Sequence, residues 1–256
     1  MKWIRQRVLS GEIVSGTFLN LGSHLTVEIA GQAGFDWLLI DMEHGAGDYP
    51  HLVHQLQAAD CTPAAPLVRI AWNEAPRFKR VLDLGPSGVM VPWICTAEEA
   101  RQAVAAMRYP PLGIRGAASF NRACGFGKEF DEYFAKASQN LLTIAQIESL
   151  QAVDHANEIA AVDGVDVLFV GPLDLSVSLG APRQLDRPDF REALKKVVAA
   201  CRQQGKAAGI LLWKTEQLDQ AVSDGFTFIG LGSDGAAVGT AMSQWATAIK
   251  EIGKTK

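Results

Sequence analysis

The feature that most restricts this chain is a beat. Eight short apolar runs recur along it, at residues 13–19, 37–42, 65–70, 88–94, 141–147, 165–170, 207–212 and 226–231. Most are continuously apolar instead of alternating, the pattern of strands buried on both faces of a parallel sheet. Helix-like stretches lie between them. One spans 28–33, continuing from the turn Gly22-Ser23-His24, and another spans 51–59 behind Pro50. Thr96-Ala97-Glu98-Glu99 is a capping box ahead of 100–107. The segment 189–204 sets Phe190, Leu194, Val197 and Val198 on one face, and Gly205 is its natural stop. Segments 216–223 and 239–252 complete the series. Eight strand-then-helix units in 256 residues predict an α/β fold, a (β/α)8 TIM barrel spanning 1–256 as one domain. A doubly wound open sheet is the competitor, because a count of units does not establish closure.

Several other function classes fall away on sequence grounds. No GxGxxG follows the first strand and no GxxxxGK[ST] occurs, which removes the usual dinucleotide and P-loop signals. The formal net charge of −4 offers no basic surplus for phosphates, so no nucleic-acid partner is expected. No apolar run reaches the roughly 18–20 residues of a membrane span. The first eleven residues carry Lys2, Arg5 and Arg7 with no apolar stretch after them, so no secretory signal is expected. Cys61, Cys95, Cys124 and Cys201 lie far apart without CxxC spacing, which fits reduced thiols in a cytoplasmic protein. The longest irregular stretch, 109–128, is rich in Pro and Gly, and loops of that length often serve as lids.

In a barrel the chemistry gathers where strands end. The polar residues there are Asp41, Glu43 and His44 after the second run and Arg69 in the third. Gln146 and Glu148 end the fifth, Asp174 follows the sixth, and Ser233 and Asp234 follow the eighth. Glu148 and Asp174 follow neighbouring strands. With water they would make a hard oxygen site suited to Mg²⁺, Mn²⁺ or Co²⁺; each reads equally well as a helix cap or surface charge. Asp41, His44 and Arg69 form a second group. Histidine titrates near neutrality and serves as a base, although His44 taken alone is an ordinary loop histidine. The arginine fork suits a carboxylate or enolate oxygen. Its alternative is a salt bridge across the barrel mouth, since a charge within 66–70 needs a partner. His51 and His54 stand three apart, as a metal pair would, but fit a solvated helix face. His24 sits in a turn and His155 in a polar helix.

The run Phe35-Asp36-Trp37-Leu38-Leu39-Ile40-Asp41-Met42-Glu43-His44 resembles the signature of the HpcH/HpaI aldolases, metal-dependent class II pyruvate aldolases of the phosphoenolpyruvate/pyruvate barrel superfamily. The likeness continues through Leu67-Val68-Arg69 and Arg108-Tyr109-Pro110-Pro111-Leu112-Gly113-Ile114-Arg115-Gly116. It reappears in Ala145-Gln146-Ile147-Glu148-Ser149, in Phe169-Val170-Gly171-Pro172-Leu173-Asp174-Leu175-Ser176, and from Gly205 to Leu211. It therefore covers nearly the whole chain in order.

The resemblance implies roles. Glu148 and Asp174 would hold a divalent metal (Mg²⁺, Mn²⁺ or Co²⁺), and His44 would be the base on the aldol hydroxyl. Arg69 would bind the pyruvate oxygen and steady the enolate. Asp83 would orient the histidine, from a neighbouring subunit. Gln146, Gly171, Pro172, Leu173, Asp174 and Leu211 would line the substrate pocket, with amides between Gly171 and Asp174 holding the carboxylate. No lysine ends a strand, so no Schiff base is called for; Lys206 starts the seventh run, at the opposite face.

The implied reaction cleaves a 4-hydroxy-2-oxo acid to pyruvate and an aldehyde. The substrate would be a 2-dehydro-3-deoxy sugar acid or 4-hydroxy-2-oxoheptanedioate, in a cytoplasmic hexamer, a trimer of dimers, whose last helix exchanges between subunits. Arg122 is either a reader of a distal carboxylate or a solvated loop residue. Met42 and Trp213-Lys214 depart from the family pattern near the rim, where the aldehyde is chosen. A lyase of CoA thioesters, as in the citrate-lyase-like relatives, and a non-catalytic barrel binding sugar acids are the other readings.

Overall fold

The eight apolar runs become eight strands of a closed barrel. In the computed structural model, residues 2–252 are described; Met1 and 253–256 lie outside the described residues. The elements in chain order are α1 (Arg5–Leu9), β1 (Val14–Leu19), α2 (His24–Gln32), β2 (Trp37–Asp41), α3 (Tyr49–Asp60), β3 (Ala65–Arg69), α4 (Ala75–Leu82) and β4 (Gly88–Val91). Then follow α5 (Ala97–Met107), a 3-10 segment Arg122–Gly127, α6 (Phe130–Asn140), β5 (Leu142–Ile147), α7 (Leu150–Asp154), α8 (Ala156–Ala160) and β6 (Val167–Val170). The chain continues through α9 (Pro172–Ser178), α10 (Pro188–Gln204), β7 (Ala207–Leu212), a 3-10 turn Thr215–Gln217, α11 (Leu218–Asp224), β8 (Phe228–Ser233) and α12 (Asp234–Ile252).

All neighbouring strands are parallel, and β8 returns to β1, with Val14 opposite Phe228 and Gly16 opposite Gly230. Closure decides against the open doubly wound sheet. It also explains the unbroken hydrophobicity of the strands, because each has one face toward the barrel axis and one toward the helices. The inner face packs Phe18, Trp37, Leu39, Leu67, Met90, Ile144, Phe169 and Phe228. Trp37 and Phe228 stack there with centroids 4.5 Å apart. Ile4, just before α1, and Val8 within it join this cluster and close the N-terminal end. The outer face packs against the helices.

The capping box on α5 forms as read: Thr96 accepts from Glu99 N–H, and Glu99 accepts from the Thr96 amide. Gly205 ends α10 in the left-handed region, φ 64°. β4 stops at Val91, earlier than the run 88–94, because Pro92 has no N–H to continue a ladder and Trp93 turns left-handed. α12 begins at Asp234, ahead of 239. The Asp234 carboxylate accepts from the Asn20 amide (2.8 Å) and from the Thr26 hydroxyl (2.7 Å), clasping the end of β8 to the turn after β1. Beyond that clasp, α12 exposes Val238, Met242, Trp245, Ile249 and Ile252. The helices α1, α4 and α6 to α9 are not among the helix-like stretches read from the sequence.

Segment 109–128 does not cover the strand ends of this barrel. It runs from α5 to α6, within the connection that leads from α5 back to the start of β5, so it lies at the opposite face. Its backbone is tied to the ends of α5 and α4, with Ile114 N–H on Ala105 O (2.8 Å) and Ala123 N–H on Asp83 O (3.1 Å). All four cysteines are free. Among the described residues, no helix is long and apolar enough to cross a membrane.

Candidate active site

The C-terminal ends of β2, β3, β5 and β6 build the site. β2 delivers Asp41, and the chain then turns sharply. Asp41 Oδ1 accepts from the amides of Glu43 (3.0 Å) and His44 (3.2 Å), so one carboxylate sets the loop that carries both residues. The turn requires glycine at position 45, where a Cβ would lie 2.0 Å from the Asp41 carbonyl oxygen. β3 runs beside β2 with Arg69 opposite Asp41. That register produces a forked ion pair: Arg69 Nε donates to Asp41 Oδ1 (2.9 Å) and Nη2 to Oδ2 (2.6 Å). The remaining Nη1 is 2.9 Å from Glu43 Oε2. The salt-bridge reading of Arg69 is the one the structure shows, and the guanidinium also feels the charge of Glu148 at the end of β5.

Glu148 leaves β5 buried, only 3% exposed. Its Oε1 accepts from the Trp93 amide at 2.9 Å. Burial pushes its carboxyl up to about 7, reinforced by the charges of Glu43 and Asp174 and opposed by the Trp93 hydrogen bond and by Arg69. Burial raises Glu43 as well, against the pull of Arg69 and His44. Asp174 occupies the first turn of α9, so its reading as a helix-terminal acid also holds. The amides of Leu173 and Asp174 open that helix and have no intrahelical acceptor. Gly171 lies against the acid: a Cβ there would come within 2.9 Å of Glu148 Oε2 and 3.2 Å of Gln146 Nε2. Gln146 is buried with its amide oxygen unpartnered. Pro172 is buried, Leu173 half-exposed, and Leu211 packs against the inner cluster.

This is an oxygen-only donor set with more acid than cation, beside a space kept open by a missing side chain. It fits a hard divalent ion better than a soft one. Among the described residues, no three His, Cys, Asp or Glu converge as a complete metal cage. Glu148 and Asp174 would therefore hold a cation only with water or substrate oxygens completing its shell.

The structure brings His44, Arg69, Gln146, Glu148 and Asp174 to one mouth. The His44 ring is exposed, with Nε2 3.8 Å from Glu43 Oε1. Asp83 stands at the other end of the barrel, just after α4, where Arg115 Nη2 meets it at 3.2 Å. Arg122 is also at that end, bound to the Leu84 carbonyl (2.6 Å) and to Asp60, and so reads no substrate at this mouth. His51 caps α3 through Asp48 (2.6 Å), which fits the solvated-face reading.

Two contributors were given no role in the sequence reading. Glu43 was named among the polar residues at the strand ends, and the fold adds that it is a third acid whose charge acts on Glu148. The Trp93 amide carries no sequence signal beyond the Pro92 that precedes it.

The family profile described as HpcH/HpaI aldolase/citrate lyase matches residues 14–241. Proteins named 5-keto-4-deoxy-D-glucarate aldolase from Salmonella paratyphi C (strain RKS4594) and Salmonella newport (strain SL254) are 39% identical over 240 residues, covering 94% of this chain and 93% of theirs. An HpcH/HpaI aldolase/citrate lyase family protein from Burkholderia cenocepacia J2315 superposes with a TM-score of 0.92 at 37% identity, over 96% of this chain and 98% of that one. The HpcH/HpaI aldolase from Desulfitobacterium hafniense DCB-2 gives 0.90 at 31% identity, over 98% of both chains. The chain belongs to the HpcH/HpaI aldolase/citrate lyase family and is, like the aldolases it matches, a carbon–carbon lyase.

Proposed function

We propose that the protein is a divalent-metal-dependent class II aldolase that reversibly cleaves a 4-hydroxy-2-oxo acid to pyruvate and an aldehyde. The observation that carries this reading is the buried Glu148 beside Glu43, Asp174 and a single arginine, Arg69. Breaking the C3–C4 bond sends its electron pair toward C2, and negative charge grows on the keto oxygen. Glu148 and Asp174 would hold a Mg²⁺, Mn²⁺ or Co²⁺ ion, which would supply Lewis-acid stabilisation of that charge. Arg69, steadied by Asp41, presents donors to the same oxygen. Gln146 lines the pyruvate half. The amides opening α9 and the wall of Gly171, Pro172, Leu173 and Leu211 hold the carboxylate end. His44 takes the proton from the 4-hydroxyl, the aldehyde leaves, and C3 of the enolate is reprotonated.

The names of the 39%-identical relatives support a keto-deoxy sugar acid, 5-keto-4-deoxy-D-glucarate, as one substrate. The seven-carbon 4-hydroxy-2-oxoheptanedioate is the other candidate. The position of Asp83 at the far end of the barrel is compatible with service at a neighbouring subunit's mouth. The exposed apolar face of α12, together with the groove lined by Ile29, Ala30, Phe35 and Leu231, supports an assembly in which last helices are exchanged, a hexamer of three such dimers. We place the enzyme in the cytoplasm, in keeping with its four free thiols.

The test is pyruvate release from both substrates, with Mn²⁺ and with excess EDTA. Release that stops with EDTA and returns with Mn²⁺, Co²⁺ or Mg²⁺ is expected. Full activity in metal-stripped protein would overturn the metal-dependent reading, and release from neither substrate would overturn the pyruvate one.

A further inference from the structure

The end of the barrel opposite the mouth carries a cavity of about 260 Å³ that the catalytic reading does not use. It lies between the turn after α1, the end of α10, the start of β7 and the turn before β8. Much of its wall is hydrocarbon, from Val8, Leu9, Val198 and Ala207. Gly11 and Gly205 also line it. A Cβ on either would meet nothing within 4 Å, so the space in front of them is open.

The charge on this wall has one sign. Arg202 and Lys206 line the cavity, and no acid does. The acids around this end are already taken. Asp166 has Arg5 (2.9 Å), Glu12 has Arg7, Asp163 has Arg108 (2.9 Å), and Asp224 has Arg191 (3.7 Å). Among the described residues, neither Arg202 nor Lys206 has an ion pair of its own. Arg202 stands in the last turn of α10, where a cation suits the helix dipole. That reason does not extend to Lys206, which lies beyond the helix and acts on Asp163 only from behind Arg108. Two like charges thus share one cavity without a counter-ion, and they repel.

We infer that this cavity is a second, non-catalytic ligand site, and that it takes a short aliphatic dicarboxylate. Arg202 and Lys206 each meet one carboxylate. The hydrocarbon wall meets the methylenes between them. A lone inorganic oxyanion would leave most of the volume empty and most of that wall wet. The ligand bridges the end of α1, the end of α10 and the approaches to β7 and β8, so it stabilises the folded chain by mass action. It competes with nothing at the mouth, and the inference stands apart from the aldolase reading.

Calorimetric titration with succinate, glutarate and sulfate at constant ionic strength gives the test, with Tm followed in parallel. The protein is titrated as isolated and again with Mn²⁺ and pyruvate in excess. At least one diacid should bind saturably, once per chain, in both conditions. At a hundred times its Kd it should raise Tm by roughly 5 °C. Arg202→Gln and Lys206→Gln should each weaken that binding about tenfold and leave the ligand-free urea midpoint unchanged. Arg187→Gln, which removes an arginine paired with Asp189 outside the cavity, should bind as the wild type does. Absence of saturable binding, or affinity untouched by both cavity substitutions, overturns the inference. So does displacement of the diacid by Mn²⁺ and pyruvate, which would put it at the mouth. Sulfate binding as tightly as both diacids overturns the ligand class.

Discussion

The two ends of the barrel each bury an arginine, and the two are solved differently. Arg115, at the N-terminal end, is fully enclosed. Its guanidinium sits 4.6 Å from the Tyr109 ring and 5.3 Å from the Tyr133 ring, donates to the Tyr133 hydroxyl at 3.0 Å, and meets one acid, Asp83. One cation faces one carboxylate and two aromatic faces, so the charge is compensated within the fold. Arg69, at the mouth, faces Asp41 and Glu43 directly and feels Glu148 as well. There the acids outnumber the cation. A protein optimised for stability alone would not leave that imbalance, and such local departures concentrate where a ligand is to complete the arrangement.

Three changes would break or sharpen this contrast. The largest effect belongs to Arg69→Lys, which keeps the charge but loses the fork. Aldol cleavage should fall by about 10²–10³ with little change in urea midpoint; unchanged kcat/KM would remove Arg69 from the chemistry. Next comes Arg115→Met. It strands Asp83 and the Tyr133 hydroxyl and should cost about 3 kcal/mol in equilibrium unfolding. A loss below about 1 kcal/mol would mean the far-end cluster is not structural.

The smallest effect is one of pH. The Glu148 carboxyl titrates at about 7 in the folded protein, above its unfolded value. The folded state therefore holds a proton that the unfolded state has released, and the stability this gives is fully present below the unfolded value. It is lost as pH rises from about 4.5 through 7, to the extent of ~3 kcal/mol. Metal-stripped protein should show this decline in Tm between pH 5 and 8, and Glu148→Gln should flatten it. Mn²⁺ should raise Tm more at pH 8 than at pH 5.5, because the carboxylate must be ionised to bind it.

Much of this was legible in the sequence, for reasons that can be located. The strands were visible because a two-sided burial demands continuous hydrophobicity, and the cores of all eight runs fell where read. Their ends were less so: Pro92 stops β4 by removing a donor, a local effect beneath a run that still looks apolar. Asp41, Arg69, Glu148 and Asp174 were legible because charge at the end of a buried run needs a reason. Which end of the barrel a loop occupies was not weighed for 109–128, although the connection from the helix of one unit to the strand of the next lies opposite the mouth. The residues least visible were those acting through the backbone. The Trp93 amide serves Glu148 whatever its side chain, so no residue type announces it.

The closure of the barrel carries a consequence for how the chain reaches this state. Its last seam joins Val14 to Phe228, so most of the polypeptide must be in place before that ladder can form. Until then β1 and β7 each present an unpaired edge, and such edges recruit other chains. The Asp234 carboxylate, bound to Asn20 and Thr26, fastens the seam from just beyond it. A chain cut after the first turn of α12 retains the fastener. One cut at Ser233 loses it with the seam newly made, and should aggregate during refolding at concentrations the longer chain tolerates.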